Sequence, residues 1–306
     1  MSTEKWTAQD IPSQEGRVVI VTGANSGIGF ETTKALAAKG ATVVMACRNA
    51  EKANAAADKI RQEVPGAKLE VMPLDLADLA SVRAFTDTFK AKHDKLDLLV
   101  NNAGIMIPPF SKTKDGFEVQ FGANHLGHFA LTGLLLQLIQ KTPGARIVNV
   151  SSSAHRMGKI DFDNLQAEKG YRPWGAYGQS KLANLLFTLR LNELFKETNT
   201  DALATASHPG YTATNLQGDS IWARIANPLV GQSPEMGALP SLYAATAPDV
   251  QPNNYYGPDG FGGWRGYPKK ADTTAAAKDA AVAKRLWDVS EDLTGVTYAF
   301  GTRTGA

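Results

Sequence analysis

Tyr177 and Lys181 stand four residues apart in AYGQSKLANLLF, within a helical pattern over about 175–197. At that spacing both side chains share one helix face. A free phenol ionises at a pKa of about 10 and is a poor acid–base group at neutral pH, but a neighbouring ammonium favours the phenolate and lowers that value. The pair predicts a tuned phenol that exchanges a proton; the plainer alternative is two polar groups on a solvated face. A second stretch, TGANSGIG at 22–29, sets Gly23, Gly27 and Gly29 between an apolar run and a helical run. Glycine permits positive φ and close backbone approach. A helix N-terminus offers unpaired N–H groups and a positive dipole end, which suit a pyrophosphate. The alternative there is a tight turn and nothing more. The histidines, His93, His125, His128, His155 and His208, lack carboxylate or cysteine partners at ligand spacing, so no metal is expected and they read as structural.

The elements that must position these groups alternate. VVIV (18–21), TVVMA (42–46), LEVMPL (69–74), LDLLV (96–100), RIVNV (146–150) and ALATASH (202–208) read as strands. Helical patterns cover about 28–39, 50–62, 79–92, 116–140 and 175–197. Near-continuously apolar strands suit a parallel sheet covered on both faces. Strand–helix alternation predicts an α/β, Rossmann-type doubly wound sheet, in which ligands bind beyond the carboxyl ends of the strands. The chain is read as a single domain: a core over about 17–215, a substrate cover over about 215–270 and a C-terminal helix over about 271–294, the alanine-rich 271–284 being exposed.

Composition excludes several classes. With 32 basic and 30 acidic side chains the net charge is +2, and no basic run points to nucleic acid. The single cysteine, Cys47, cannot form an intrachain disulfide and fits a reducing compartment. MSTEKWTAQDIPSQEG has no apolar h-region, and FALTGLLLQLIQ (129–140) is shorter than the roughly 20 residues a bilayer span needs, so it reads as a core helix. The expectation is a cytoplasmic protein without an integral membrane segment, either monomer or homo-oligomer.

The T-G-x-x-x-G-x-G spacing resembles the short-chain dehydrogenase/reductase family. So do NNAG at 101–104, Asn124 in the long helix, Ser151–Ser152–Ser153, the Y-x-x-x-K of Tyr177 and Lys181, and HPG at 208–210 leading to Thr212 and Thr214. All stand in family order. MACRN (45–49), NHLGHF (124–129), RIVNVSSSAH (146–155) and YGQSKLAN (177–184) are similar to the retinol dehydrogenase and protochlorophyllide reductase-like branch.

The resemblance implies a nicotinamide dinucleotide held by Gly23, Asn25, Ser26, Gly27, Ile28, Gly29, Asp75, Asn101, Ala103, Gly104, Tyr177, Lys181, Pro209, Gly210, Thr212 and Thr214. NAD-preferring relatives carry an acid after the second strand; here Cys47, Arg48 and Asn49 follow it. The Arg48 guanidinium fork can pair with a 2′-phosphate, so NADP(H) is expected. Asp75 is also read as a possible helix N-cap and Asn101 as a turn residue. The resemblance gives Tyr177 the role of acid–base group toward a carbonyl, Ser152 (with Ser151 as fallback) the hydrogen bond to its oxygen, and Lys181 a hold on the nicotinamide ribose. It implies that Asn124 keeps a relay water near that lysine.

HRMGKIDFDNLQAEKGYRPWG, ahead of the tyrosine, reads as a flap beside the site. The cover holds Trp222, Leu229, Met236, Tyr243, Tyr255, Tyr256, Phe261 and Trp264, compatible with a lid over a lipophilic carbonyl compound, and GPDGFGGWRGYPKK (257–270) reads as a loop. The expected activity is NADP(H)-dependent interconversion of a carbonyl and an alcohol on a small-molecule substrate. The alternatives are a light-dependent protochlorophyllide reductase-like enzyme and a non-catalytic NADP(H) sensor. The first is disfavoured because those enzymes carry a cysteine where this chain has Val100–Gly104, and the second because sensors have lost the tyrosine or lysine kept here.

Overall fold

The computed structural model describes residues 5–212 and 231–300. The strands are β1 (Val18–Thr22), β2 (Thr42–Cys47), β3 (Lys68–Pro73), β4 (Leu98–Asn101), β5 (Ala145–Val150), β6 (Ala202–Ser207), β7 (Tyr255–Pro258) and β8 (Pro268–Lys270). They form one eight-stranded sheet in the order β3-β2-β1-β4-β5-β6-β7-β8. All neighbours are parallel except β7 and β8. The order reverses between β1 and β4, and that switch point is where a doubly wound sheet opens a crevice.

Alternate strand residues feed opposite cores. Ile20, Val44, Leu99, Ile147 and Ala204 pack under α3 (Leu79–Lys92), a long helix α4 (119–134) and α6 (Pro173–Glu197). Val19, Val21, Val43, Val100 and Val148 pack under α1 (Gly27–Ala38), α2 (Ala50–Glu63) and α7 (Pro234–Thr246). A short helix, α5 (Leu136–Lys141), follows α4. Its apolar side chains, with Phe129, Ala130, Leu131 and Leu135 before them, are buried, as a core helix requires.

The structure departs from the sequence reading in three places. The helix expected from Gly116 begins at Val119, because Gly116 turns at φ +88 and the Glu118 carboxylate caps the helix by accepting from the N–H groups of Gln120 and Phe121. In its middle, Gly122–Leu126 form a π turn. The stretch 257–270 is not simply a loop: its ends pair as β7 and β8, the latter an antiparallel edge strand beginning with proline, where no ladder donor is missed. The alanine-rich stretch is not wholly exposed. A 3-10 turn (Ala275–Lys278) precedes α8 (Ala280–Thr294), whose Ala283, Leu286 and Trp287 are buried and which packs on α6.

Among the described residues no helix is long and apolar enough to cross a membrane. Of the expected cover, Trp222 and Leu229 lie outside the described residues; Tyr255 and Tyr256 are buried in β7, and Trp264 is exposed.

Trp287 joins α8 to the first core: its ring lies 5.1 Å from Phe129, 5.8 Å from Phe187 and 4.4 Å from Tyr298. Trp287→Ala is expected to destabilise the chain by about 3–5 kcal/mol, as truncation of a buried aromatic does, read by urea unfolding. A loss under about 1 kcal/mol would mean that α8 is not part of the cooperative core.

Candidate active site

The ends of β1 and β4 are stitched together. The fully buried Thr22 hydroxyl accepts from the N–H groups of Asn102 and Ala103, both at 2.9 Å, and the Asn102 amide donates to the Thr22 carbonyl at 2.8 Å. His128 Nε2 lies 2.9 Å from the same hydroxyl, and its Nδ1 lies 3.0 Å from the Asn124 carbonyl. A carbonyl only accepts, so Nδ1 carries the ring proton and Nε2 receives the Thr22 hydroxyl proton. Burial pushes the His128 pKa down to about 4, which keeps that ring neutral.

Above this stitch lies a cavity of about 740 Å³. Gly23, Asn25, Ser26, Gly27, Ile28 and Gly29 line one side of it. Gly23 and Gly27 turn at φ +67 and +53, and a Cβ on Gly29 would strike the Gly23 carbonyl and crowd the Asn102 amide. Asn49, Asp78 and Asp279 cap their own helices, but Ser26 gives α1 no side-chain cap. The first N–H groups of α1 are thus left to a ligand, and a cradle with no room for a Cβ fits a phosphate pair drawn against backbone. Arg48 lines the same cavity, is exposed and makes no ion pair among the described residues. Asp75 lines it too; one of its carboxylate oxygens accepts from Ala77 N–H, while the helix cap weighed for it belongs to Asp78.

Tyr177, Lys181, Ser151, Ala103, Gly104 and Pro209 form the other end. The Lys181 ammonium is 3% exposed, donates to the Val150 carbonyl at 3.1 Å and lies 5.7 Å from the Tyr177 ring centroid. It keeps two N–H donors beyond that bond. Burial lowers its pKa to about 8. Tyr177 does not follow the sequence expectation of a lowered pKa: burial raises it to about 12, and only the neighbouring Ser152 hydroxyl pulls it back. Ser152, at the N-cap of a 3-10 turn (Ser153–Met157), is partly exposed, whereas the Ser151 hydroxyl is committed to the Lys181 carbonyl at 2.7 Å. The two serines thus differ in what their hydroxyls hold, and of the two it is Ser151 that lines the cavity.

Other expected positions sit elsewhere. Asn101 points into the sheet, donating to Thr132 and Asn149; the cavity is lined by Asn102. Adjacent residues at a strand end face opposite ways. Asn124 does not offer its side chain to a water: it accepts from Ile105 N–H at 2.8 Å and donates to the Ile105 carbonyl and Ser180, so it clamps the loop after β4 to α6. Gly210 packs against the Trp264 backbone outside the cavity, and the Thr212 hydroxyl is spent on the Pro209 carbonyl. Thr214 lies outside the described residues. Missed in the sequence were Thr22, Asn102 and the apolar wall Ile105, Met106, Ile107, Pro108 and Val119. Ile107 is held at φ +46, a strain of about 1–3 kcal/mol for a β-branched residue, and no pattern announces it. Among the described residues no group of three or more ligand-type side chains could hold a metal ion.

Residues 17–223 match the short chain dehydrogenase family. The chain belongs to this family. It is accordingly an oxidoreductase acting on CH–OH and C=O groups. Retinol dehydrogenase 12 of Mus musculus is 43% identical over 288 residues, covering 92% of this chain and 88% of that protein. Polyprenol dehydrogenase of Homo sapiens is 39% identical over 295 residues, covering 93% and 87%. A solved structure of an uncharacterised protein from Mycobacterium paratuberculosis superposes with a TM-score of 0.82 at 42% identity, covering 96% of this chain and 99% of that one. A short chain dehydrogenase from Shigella flexneri 2a, complexed with NADP, superposes at 0.62 with 26% identity, covering 78% and 93%.

Because the lowered Lys181 value is the one near neutrality, its charge is present below a pH of about 8 and lost above it, while Tyr177 stays protonated. The kcat/KM for reduction is therefore expected to be level at pH 6–7 and to fall about tenfold per unit above roughly pH 8. A profile flat to pH 10 would remove the charged lysine from the account.

Proposed function

We propose that the chain reduces a lipophilic aldehyde or ketone with NADPH, or runs the reverse reaction, and that Tyr177 is its acid–base group. One observation carries this reading: a single cavity runs from Arg48 and the uncapped start of α1 to Tyr177 and Lys181, and its remaining wall is apolar. The relatives support it in kind, since their names are those of enzymes acting on retinol and polyprenol, and a structural neighbour was crystallised with NADP.

NADP(H), when bound, would supply the hydride. Gly23, Asn25, Gly27, Ile28 and Gly29 would hold its phosphates, Arg48 the 2′-phosphate that distinguishes NADP from NAD, and Asp75 its adenine end. At the carbonyl, Ser152 donates a hydrogen bond to the oxygen and stabilises the charge that develops there. Tyr177, whose buried phenol keeps its proton at neutral pH, gives that proton to the same oxygen. Lys181, with two donors free of Val150, holds a ribose hydroxyl and offsets negative charge on Tyr177 once the proton has left. The wall of Ile105, Met106, Ile107 and Pro108 takes apolar substrate and excludes water. The one cysteine, free and buried, fits the reducing compartment expected for the chain.

Tyr177→Phe is expected to lower kcat for aldehyde reduction 10²–10⁴-fold, the usual worth of general acid–base catalysis, and to leave NADPH affinity within about threefold. Turnover close to that of the unaltered chain would remove Tyr177 from the chemistry. Arg48→Ala is expected to cut NADPH affinity about tenfold and leave NADH affinity unchanged, because one phosphate contact is worth about 1.4 kcal/mol. Calorimetric titration of both cofactors checks this; equal loss for both would show that Arg48 does not read the phosphate.

A further inference from the structure

We propose that Gln120 and Tyr171 are positioning residues for the carbonyl substrate, holding Ile107 and Pro108 as the wall that sets substrate KM and chain-length selectivity. The proposal rests on the reading of the cavity as a carbonyl site. Gln120 and Tyr171 lie behind the cavity wall, whereas Ile107 and Pro108 form it.

Ile107 has the backbone of a residue that glycine would normally supply, φ +46 with a branched Cβ. Left to itself such a residue returns to extended backbone. Four hydrogen bonds oppose that return. The Ile107 N–H donates to Gln120 Oε1 at 2.8 Å. Gln120 Nε2 donates to the Tyr171 hydroxyl at 2.9 Å and to the Pro173 carbonyl at 3.0 Å. The Tyr171 hydroxyl donates to the Pro108 carbonyl at 2.8 Å. The Pro108 carbonyl can only accept, so the direction of each bond follows and the amide orientation of Gln120 is determined. The ring closes on two adjacent residues, Ile107 and Pro108, and Pro109 after them stiffens the exit.

The supports of the ring are themselves fixed. Gln120 is fully buried at the start of α4, where the buried Glu118 carboxylate accepts from its N–H. Glu118 N–H donates to Gln166, a second tie from the 155–175 segment. A buried amide with every strong donor and acceptor matched has one orientation, and an unmatched one is costly, so the clamp is stiff. Pro173 is the first residue of α6, and Tyr177 follows one turn later, so the same amide that holds the wall also touches the catalytic helix. On the outer side, the exposed Phe110 leans on the Tyr171 ring at 5.3 Å, and Trp174 is exposed beside Tyr177 at 6.3 Å, which extends an apolar rim from the wall. Neither Gln120 nor Tyr171 is among the residues assigned to the cofactor, so loosening the clamp should be felt by substrate and not by NADPH.

The test compares the unaltered chain, Tyr171→Phe, Ile107→Gly and the double variant, with decanal and propanal as substrates. Tyr171→Phe keeps the ring against Phe110 and deletes only the hydroxyl. It is expected to raise KM for decanal about tenfold, the scale of one hydrogen bond, with kcat within about twofold and KM for propanal, NADPH Kd and melting temperature nearly unchanged. In the Ile107→Gly background, deleting the hydroxyl should add nothing further to KM, because the wall it positions is gone. Pro108 and Pro109 have no backbone N–H, so Ile107 carries the one amide between Met106 and Phe110, and hydrogen exchange of that amide reads the clamp directly; it should quicken at least tenfold in Tyr171→Phe. An unchanged decanal KM, an effect that simply adds to that of Ile107→Gly, or unaltered exchange would overturn the proposal. So would a parallel fall of kcat, NADPH affinity and melting temperature, which marks damage to the fold. If the unaltered chain reduced neither aldehyde, the carbonyl reading would fall and the substrate role with it, while the exchange rates would still report whether the clamp exists.

Discussion

The site depends on a hydroxyl that never reaches solvent. Thr22 ends β1, and its hydroxyl accepts from the first two N–H groups beyond β4 while donating a hydrogen bond to His128 Nε2. Without it, the Ala103 N–H at the switch point of the sheet would stand unpaired, at a cost of about 1–3 kcal/mol, and the Asn102 N–H would keep only its bond to the Val100 carbonyl at 3.0 Å. With it, the glycine turn and the loop after β4 have one relative position. Gly29 then fits only because it has no Cβ between Gly23 and Asn102. The neutral His128 carries the same constraint into α4, where the π turn brings the Asn124 carbonyl under the ring and the Asn124 side chain onto Ile105. Both walls of the cavity, the glycine turn and the apolar loop after β4, hang from this one bonded cluster.

Burial does opposite things to the two groups at the far end. It moves the Lys181 pKa down and the Tyr177 pKa up, so at neutral pH the lysine is charged by a narrow margin and the phenol holds its proton firmly. A phenol in that condition is present at neutral pH in its proton-donating form. The Val150 carbonyl fixes the ammonium without neutralising it, and the Ser151 hydroxyl serves the α6 backbone.

Much of this was legible in the sequence, for a physical reason. Strands buried on both faces must be nearly continuously apolar, and the first five strands were each followed by a helix-forming run, so the order of elements could be read directly, the half-buried edge strand β3 included. β7 and β8 could not: Tyr-Tyr-Gly-Pro and Pro-Lys-Lys have no pattern of their own and become strands only by pairing with β6 and each other. The Tyr177–Lys181 spacing shows that the two groups are neighbours, but not that both are dry, and dryness decides the sign of the tyrosine shift. Choosing Asn101 over Asn102 failed because the face of a strand end depends on register, which sequence alone does not carry. Ile107 was invisible for the opposite reason: its left-handed backbone contradicts its residue type, and the partners that enforce it, Gln120 and Tyr171, are distant in sequence.

The central claim is that hydride passes directly from the nicotinamide to a carbonyl carbon at the Tyr177 end of the cavity. The most direct measurement uses NADPH bearing deuterium at the transferring position of its nicotinamide ring, incubated in darkness with a lipophilic aldehyde. Mass spectrometry of the product alcohol should find one deuterium per molecule on the carbinol carbon. An alcohol without label, or label that appears only under illumination, would contradict the account.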